Sequence, residues 1–260
     1  MVLTALRGGL VFLTRLPVGV DETSWDAFRR TPVAFPLVGY GLGALAAIPF
    51  LLPVPVPTAA ALYMAALYVL TGVTHVDGLA DVGDAAAVHG DAEERLAVLK
   101  DSQTGVGGAL ALGLALVTLG LGALSVAGTA PQVAFPLVVA AEVGAKTGMA
   151  TLVCTGESAH EGLGSALIDV NDVSNLVPVA ISLVLLPALL STPVAGVAGV
   201  TTAAFAAVAA ASFAPVAVAV LAGRWGNEHL GGVSGDVLGT ANELGRVAGL
   251  HAGVLAWTLF

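Results

Sequence analysis

Three aspartates lie close together in a short polar stretch of a largely apolar chain. Asp77, Asp81 and Asp84 are spaced i, i+4 and i+7. At about 100° per residue, this spacing places the three carboxylates within about 60° of one another on one helix face. Carboxylates on one face repel each other unless a cation lies between them. Oxygen ligands with no cluster of His or Cys nearby are typical of Mg²⁺, with Mn²⁺ as the alternative. We therefore predict a site for a metal ion that bridges the phosphates of a substrate.

The alternative interpretation of this stretch is a solvated helix end at a membrane surface. A solvated face tolerates mixed Glu, Lys and Ser, whereas only Asp recurs here. Small residues such as Gly78 and Gly83 lie between the aspartates, and small neighbours let a large ligand approach the backbone. We therefore favour the metal site.

The next polar stretch carries groups that suit a phosphate. Lys100 provides a cation, Asp101 a further carboxylate and Ser102 a hydroxyl, and a glycine-rich turn from Gly105 to Gly108 opens the next predicted helix. Backbone N–H groups at a helix N-terminus bind anions. Glycines also occur there simply for close packing, so the prediction of a phosphate site depends on the neighbouring aspartates.

The composition of the whole chain is that of a membrane protein. Of 260 residues, 57% are apolar and 10% are charged, with 9 Lys plus Arg against 18 Asp plus Glu. Soluble domains carry about 25% charged residues, so a soluble globular fold is nearly excluded. The net charge of −9 leaves no basic patch for a polynucleotide, and we expect no nucleic-acid partner.

Long stretches without charge predict the membrane spans. Residues 31–76, 102–141 and 173–223 contain no Asp, Glu, Lys or Arg, and each has room for two spans of about 20 residues joined by a turn. We predict an all-α, polytopic integral membrane helix bundle that forms a single domain over 1–260. It has about seven transmembrane helices, at roughly 33–52, 58–75, 106–127, 133–153, 174–190, 196–222 and 245–260.

A helical hairpin returns the chain to the side it left, so the polar segments between the hairpins are predicted to face one compartment. These four polar segments are 1–30, 76–105, 154–172 and 224–246. They contain most of the basic residues, namely Arg7, Arg15, Arg29, Arg30, Arg95, Lys100 and Arg224. By the positive-inside rule that compartment is the cytoplasm. We expect a multi-pass protein of the cell membrane whose active site faces the cytoplasm.

Several strings, taken in chain order, resemble the cobalamin synthase family. They are Thr14 to Val18, Phe35 to Gly39, His75 to Asp84, Leu99 to Ser102 with Gly105, Glu161 to Gly164, and Gly231 to Asp236 with Gly239. The resemblance runs through nearly the whole chain. Its most specific parts are the Asp-Gly-Leu-Ala-Asp string that begins at Asp77 and the Lys-Asp-Ser string that begins at Lys100.

The resemblance implies an adenosylcobinamide-GDP ribazoletransferase, an integral membrane enzyme late in cobalamin biosynthesis. Such an enzyme would transfer the cobinamide phosphate group of adenosylcobinamide-GDP to the 5'-hydroxyl region of α-ribazole or of α-ribazole 5'-phosphate. The products would be GMP and adenosylcobalamin or its phosphate. The expected partners are these substrates and the lipid bilayer, and the sequence leaves the oligomeric state open.

This reaction requires a divalent metal to neutralise the diphosphate and a group that deprotonates the incoming alcohol. We predict that the metal ligands are Asp77, Asp81, Asp84 and Asp101. For the proton acceptor, Asp84 and His75 remain alternatives. Substrate contacts are predicted at Gly78, Arg95, Lys100, Ser102, Gly105 and Asp236. Glu142 and Lys146 form an i, i+4 pair inside a predicted span, where mutual neutralisation is slightly favoured over a functional role.

Three other classes compete with this interpretation. CDP-alcohol phosphotransferases also place aspartates at helical spacing around an Asp-Gly-x-x-Ala string, but their pattern has Arg where this chain has Asp81. A membrane prenyltransferase would need two Asp-rich clusters. A transporter would carry ionisable residues near the midplane of repeated halves, and the chain shows no internal repeat.

Overall fold

A computed structural model describes residues 2–19, 21–190 and 202–260. These residues form α-helices and two short 3₁₀ helices joined by loops, with one isolated bridge between Ser158 and Val233 and no strand. The α-helices are α1 (Val2–Leu13), α2 (Glu22–Arg29), α3 (Ala34–Ala46), α4 (Val56–Thr71), α5 (Thr74–Ala87), α6 (Ala92–Leu99), α7 (Val106–Ala127), α8 (Pro131–Thr155), α9 (Leu163–Ile168), α10 (Leu176–Leu190), α11 (Thr202–Leu230) and α12 (Gly235–Leu259).

The described helices include several that are suited to a bilayer. By length and composition, α7, α8 and α11 can each cross a membrane, and α4 with α5 passes the same criterion as a pair bent by 94°. Three spans, or up to four, are therefore present in the described part of the chain. This confirms the prediction of an all-α protein with membrane-spanning helices.

The predicted count of seven spans goes beyond these helices. A helix lies within each predicted span, but α3 has 13 residues and α10 has 15, against about 20 for a full crossing. Helix α12 has 25 residues but carries three charged side chains, at Asp236, Glu243 and Arg246. The predicted turn at 191–193 and the start of the span at 196–222 lie outside the described residues.

Helix α8 forms the centre of the bundle. Of its most apolar window, 94% is buried, compared with 28% for α7 and 33% for α11. It packs against α3, α11 and α12. Close approach depends on small residues, since a Cβ at Gly43 of α3 would lie 2.8 Å from the Cα of Val139 on α8, and small interfacial residues are typical of packed membrane helices.

The four polar segments predicted from the sequence contact one another. The Asn171 side chain donates a hydrogen bond of 2.6 Å to the carbonyl oxygen of Arg29. The backbone N–H of Val233 donates to the carbonyl oxygen of Glu157 at 2.7 Å. Helix α5 packs against α12, and α6 against α11. These contacts gather the chemistry-bearing residues at one end of the helix bundle.

Candidate active site

A sharp turn separates the acidic helix α5 from the apolar helix α4. Gly72 ends α4 with a φ of 69°, in the left-handed region that glycine adopts without strain. The chain then turns by 94°, and α5 begins at Thr74. Because of this turn, Asp77, Asp81 and Asp84 follow the end of the apolar span and lie among the polar segments.

The carboxylates of α5 are joined by a fourth one from α12. Asp81 is half-buried, and burial raises its pKa to about 6, with further contributions from the charges of Asp236, Asp77 and Asp84. Burial also raises the pKa of Asp236, although a hydrogen bond from the Ser234 hydroxyl opposes this rise. The charges of Asp77, Asp84 and Asp236 therefore all act on Asp81, so Asp236 joins the carboxylates that the spacing on α5 groups together.

Direct backbone contact brings Asp236 to α5. A Cβ at Gly78 would lie 2.7 Å from the Cα of Asp236, which is too close for any residue larger than glycine without movement. The Thr240 hydroxyl also donates to the carbonyl oxygen of Gly78 at 3.2 Å. Gly78, predicted as a substrate contact, is buried at this helix crossing. Its small size lets the acidic helices α5 and α12 pack closely.

Asp84 caps the N-terminus of α7. One carboxylate oxygen accepts the N–H of Gly105 at 2.7 Å, and the other accepts the N–H of Gly108 at 2.9 Å. An anionic acceptor at this position is favoured by the helix dipole. The glycine-rich turn thus does bind an anion, as predicted for a phosphate, but in this structure the anion is Asp84.

The remaining predicted residues of this stretch lie at the surface. Lys100, Asp101 and Ser102 are exposed in the turn between α6 and α7. Asp101 accepts the backbone N–H of Gln103 at 3.0 Å, and it is not among the carboxylates whose charges act on Asp81. The charges of Asp77, Asp84 and Asp236 thus act on Asp81, whereas Asp101 is apart from this group.

Arg95 contacts the end of α5 rather than an open site. Its guanidinium donates to the carbonyl oxygen of Ala85 at 2.6 Å and to that of Gly90 at 3.2 Å. These bonds satisfy carbonyl groups at and beyond the C-terminus of α5. Arg95 therefore ties α6 to α5.

His75 lies inside the bundle. It is 7% exposed, and its Nδ1 lies 3.3 Å from the side-chain nitrogen of Asn242. Asn242 in turn accepts from Lys146 Nζ at 2.5 Å and donates to Glu243 at 2.9 Å. This environment favours a structural role for His75.

Asn242 belongs to a buried charge network formed by Glu142, Lys146, Asn242, Glu243 and Arg246. Arg246 donates to both carboxylate oxygens of Glu142 and to Glu243 at 2.7 Å. Lys146 Nζ lies 3.7 Å from Glu142. Glu142, Lys146 and Arg246 are 0% exposed, so the two acids and two bases neutralise one another within the apolar bundle.

The sequence analysis identified only part of this network. The Glu142 and Lys146 pair was predicted to be mutually neutralised, and the structure does place Nζ near that carboxylate. The contribution of α12 was not predicted, although Glu243 and Arg246 stand i, i+3 apart at the edge of the last predicted span. The i, i+3 spacing of Glu243 and Arg246 was the sequence pattern that could have indicated their ion pair.

A further group near the carboxylates comes from the loop between α8 and α9. The N–H of Ala159 donates to the carbonyl oxygen of Val233 at 3.1 Å, three residues before Asp236 in the chain. The next residue, His160, lies close enough to Asp236 for its charge to lower the pKa of that carboxyl. His160 is not predicted as a site residue from the sequence, because a lone histidine in a polar loop carries no pattern.

The carboxylates offer the donor chemistry that Mg²⁺ prefers, but not a complete cage. Within the described ranges, no three His, Cys, Asp or Glu side chains converge closely enough to hold a metal ion. Mg²⁺ is usually bound through one or two carboxylates together with substrate phosphates. Asp77 and Asp81, one helical turn apart on α5, fit that mode of binding.

An apolar cavity of about 490 Å³ lies on the opposite side of α5 from the carboxylates. Its walls come from α5, α7, α11 and α12, and include Leu79, Val82, Ala111, Leu221 and Trp225. Among the described residues, no charged side chain lines it. The acidic face and the apolar face of α5 are thus separated by the helix itself.

Comparison with known proteins finds close relatives. The sequence model of the family described as cobalamin-5-phosphate synthase matches residues 5–254. A curated protein of Haloquadratum walsbyi named adenosylcobinamide-GDP ribazoletransferase is 51% identical over 264 residues, covering 100% of both chains. A protein of the same name from Halorubrum lacusprofundi is 51% identical over 271 residues, again with 100% of both chains covered.

More distant relatives carry the same name. One from Methanocella arvoryzae is 33% identical over 264 residues, covering 99% of this chain and 98% of that protein. No solved structure matches the chain.

Proposed function

We propose, from the premise that the chain belongs to the cobalamin-5-phosphate synthase family, that it acts as an adenosylcobinamide-GDP ribazoletransferase. It transfers the cobinamide phosphate group of adenosylcobinamide-GDP to α-ribazole or its 5'-phosphate and releases GMP. The observation that supports this chemistry best is the packing of the acidic helix α5 against the start of α12, where Gly78 lies against the backbone of Asp236 and the charges of Asp77 and Asp236 act on Asp81. Such a cluster suits a diphosphate only with a divalent cation.

The family's description also bears on the attacking hydroxyl. A product called a 5-phosphate keeps a phosphate on the acceptor, so the 5'-oxygen of that acceptor is not free. An enzyme that accepts both α-ribazole and its 5'-phosphate must therefore use another ribose hydroxyl. We place the attack there rather than in the 5'-hydroxyl region expected from the sequence.

Each group on α5 has a defined part in this proposal. Asp77 and Asp81 would hold the metal, together with oxygens of the substrate diphosphate. A Mg²⁺ ion held there would supply positive charge to neutralise the charge that develops on the departing GMP. Asp84 keeps α7 in place through its two backbone hydrogen bonds, and would reach a metal only by releasing them.

The exposed turn before α7 completes the phosphate site. Lys100 supplies a cation and Ser102 a hydroxyl for phosphate oxygens. Asp236 contacts the substrate from α12, with its carboxylate oriented by the Ser234 hydroxyl at 3.3 Å. Asp101 stays at the rim of this site as a candidate ligand for a second cation.

The membrane arrangement follows from the distribution of charge. We propose that the chain forms one domain with seven crossings in the cell membrane, in which α3, α4 and α10 are short spans. The four polar segments then face the cytoplasm, because they hold nearly all of the basic residues. The contacts among these segments support their placement on one side.

An assay of product formation tests the proposed function. Purified protein in lipid vesicles is incubated with adenosylcobinamide-GDP, α-ribazole and Mg²⁺, and GMP and corrinoid products are measured by chromatography. We expect one GMP for each cobalamin formed, and no GMP without α-ribazole. Absence of product from folded protein would refute the function, and release of CMP from a CDP-alcohol would favour the competing class.

A further inference from the structure

The reaction needs a proton acceptor, and the two predicted candidates are occupied elsewhere. Both carboxylate oxygens of Asp84 accept backbone N–H groups, so both are engaged with the start of α7. His75 is buried beside Asn242 and the buried charge network. A base must come within hydrogen-bond reach of the hydroxyl that it deprotonates, so another group at the acidic cluster is required.

The loop from Gly156 to Gly164 is fixed against the start of α12. Its backbone pairs with Val233 through two hydrogen bonds, of 2.7 Å from Val233 to Glu157 and 3.1 Å from Ala159 to Val233. At the far end of the loop, a Cβ at Gly164 would lie 2.7 Å from the backbone nitrogen of Gly235. The loop therefore has a defined position relative to Asp236.

The histidine in this loop has one ring nitrogen free to act as a base. His160 Nδ1 lies 2.9 Å from the carbonyl oxygen of Glu161, and a carbonyl can only accept, so Nδ1 carries the proton. In the neutral ring, Nε2 is then the acceptor. His160 is half-buried, follows the residue whose N–H pairs with Val233, and lies close enough to Asp236 for the two charges to interact.

We propose that His160 is the proton acceptor of the reaction, an inference that rests on the proposed function. Nε2 takes the proton from the attacking ribose hydroxyl, and the freed oxygen electron pair forms a bond to the phosphorus of the cobinamide phosphate. The bond from that phosphorus to the bridging oxygen breaks, and its electron pair leaves with GMP. The negative charge of Asp236, which interacts with that of His160, stabilises the imidazolium that forms.

Two variants of His160 test this role. His160→Ala and His160→Gln remove the base, and we expect kcat to fall by about 100-fold or more, with KM values for both substrates changed by less than about threefold. Added imidazole should restore activity to His160→Ala in proportion to its free-base concentration, and should do nothing for the wild type. The matched control is His89→Ala, in an exposed loop, which should retain wild-type activity.

The possible outcomes separate this inference from the proposed function. Full activity of both His160 variants, or lost activity without imidazole rescue in a protein that still binds adenosylcobinamide-GDP, would overturn the role of His160 and leave the function intact. A wild-type protein that forms no product would refute both. If His160→Ala unfolds, the rescue experiment is carried out on His160→Gly, and absence of rescue there also counts against the role.

Discussion

Gly78 on α5 lies directly against the backbone of Asp236 on α12. A Cβ at Gly78 would come within 2.7 Å of the Cα of Asp236 and 3.1 Å of its carbonyl oxygen. This contact sets how far apart the carboxylates of the two helices stand. The separation of the acidic groups therefore depends on a residue that has no side chain.

Enlarging Gly78 should therefore impair activity more than stability. Gly78→Val forces α5 away from α12, and overpacking of this kind costs about 1–3 kcal/mol of folding free energy. A displacement of about 1 Å at a reactive site can lower the rate by about 100-fold. We expect GMP release to fall by about that factor while the thermal unfolding midpoint drops by several degrees.

The matched control is Gly113→Ala on α7, where a Cβ would meet no atom within 4 Å. This variant should keep wild-type activity and stability. Wild-type activity in Gly78→Val would show that the contact between α5 and α12 does not control the site.

The stability of the metal-free protein should depend on Asp81 in a defined pH range. The folded-state pKa of Asp81, about 6, exceeds its unfolded value of 3.8, so the folded protein binds more protons between these values. Folding stability from this group is therefore full below its unfolded pKa and lost as pH rises through about 6. Asp236 acts in the same direction. We expect the unfolding midpoint to rise on acidification from pH 7.5 to 5.

Carboxyl groups whose pKa values are lowered in the folded protein do not change the expected pH dependence of stability between pH 7.5 and 5. Asp21, Asp26 and Asp172 are stabilised as anions by hydrogen bonds, and their contribution is lost only as pH falls below their unfolded values. The comparison is between wild type and Asp81→Asn, in which the pH dependence should become smaller. Identical pH profiles of the two proteins would show that the Asp81 charge is not strained in the fold.

Much of the fold is predictable from the sequence because a charged side chain inside the bilayer costs free energy. Charged residues are therefore mostly found outside the membrane spans. Stretches with few or no charges predicted helices at α3, α4, α7, α8, α10, α11 and α12, and the turns before α4 and before α8 fall at Pro and Gly. The bend of 94° between α4 and α5 was not predicted. It follows from Gly72 and from packing that a one-dimensional pattern does not contain.

The candidate site is predictable only where its residues share one helix. Spacing alone placed Asp77, Asp81 and Asp84 on one face of α5. Whether each carboxylate stays free depends on distant partners, and nothing in the sequence indicates that Asp84 would meet Gly105 and Gly108. His75 was in the right string, yet its burial results from helix α12, far away in the chain.

Because Asp84 caps α7, substitutions at Asp84 should affect stability more and Mg²⁺ activation less than Asp81→Asn does. Asp84→Ala leaves the N–H groups of Gly105 and Gly108 without their acceptor, and loss of a helix cap costs about 1 kcal/mol. Asp84→Asn keeps one acceptor oxygen and should cost less. We expect both to lower the unfolding midpoint, measured in vesicles without Mg²⁺, and to change the Mg²⁺ activation constant less than Asp81→Asn does. If the Asp84 variants changed the Mg²⁺ activation constant more than Asp81→Asn does, Asp84 would be identified as a metal ligand.

Arg246 should be required for folding because of the charges that it neutralises. Arg246→Met leaves Glu142 without its bidentate partner and Glu243 without its 2.7 Å bond. An unpaired buried charge costs about 3–5 kcal/mol. We expect the variant to lose much of its folded population, measured by thermal unfolding in vesicles.

A second substitution should relieve this loss. Arg246→Met combined with Glu142→Gln removes one acid and one base together, so the remaining pair of Lys146 and Glu243 is again neutral. The double variant should be more stable than Arg246→Met alone. Equal or lower stability would indicate that hydrogen-bond geometry, rather than charge balance, holds this network together.

The most direct test of the metal site is the Mg²⁺ dependence of GMP release in wild type, Asp77→Asn and Asp81→Asn. Because each substitution removes one ligand charge, we expect the Mg²⁺ activation constant to rise by about 10-fold or more, with maximal rates reduced. Asp169→Asn, at an exposed position in the loop after α9, should match the wild type. Full activity of Asp81→Asn with an unchanged Mg²⁺ dependence would contradict the assignment of the metal to α5.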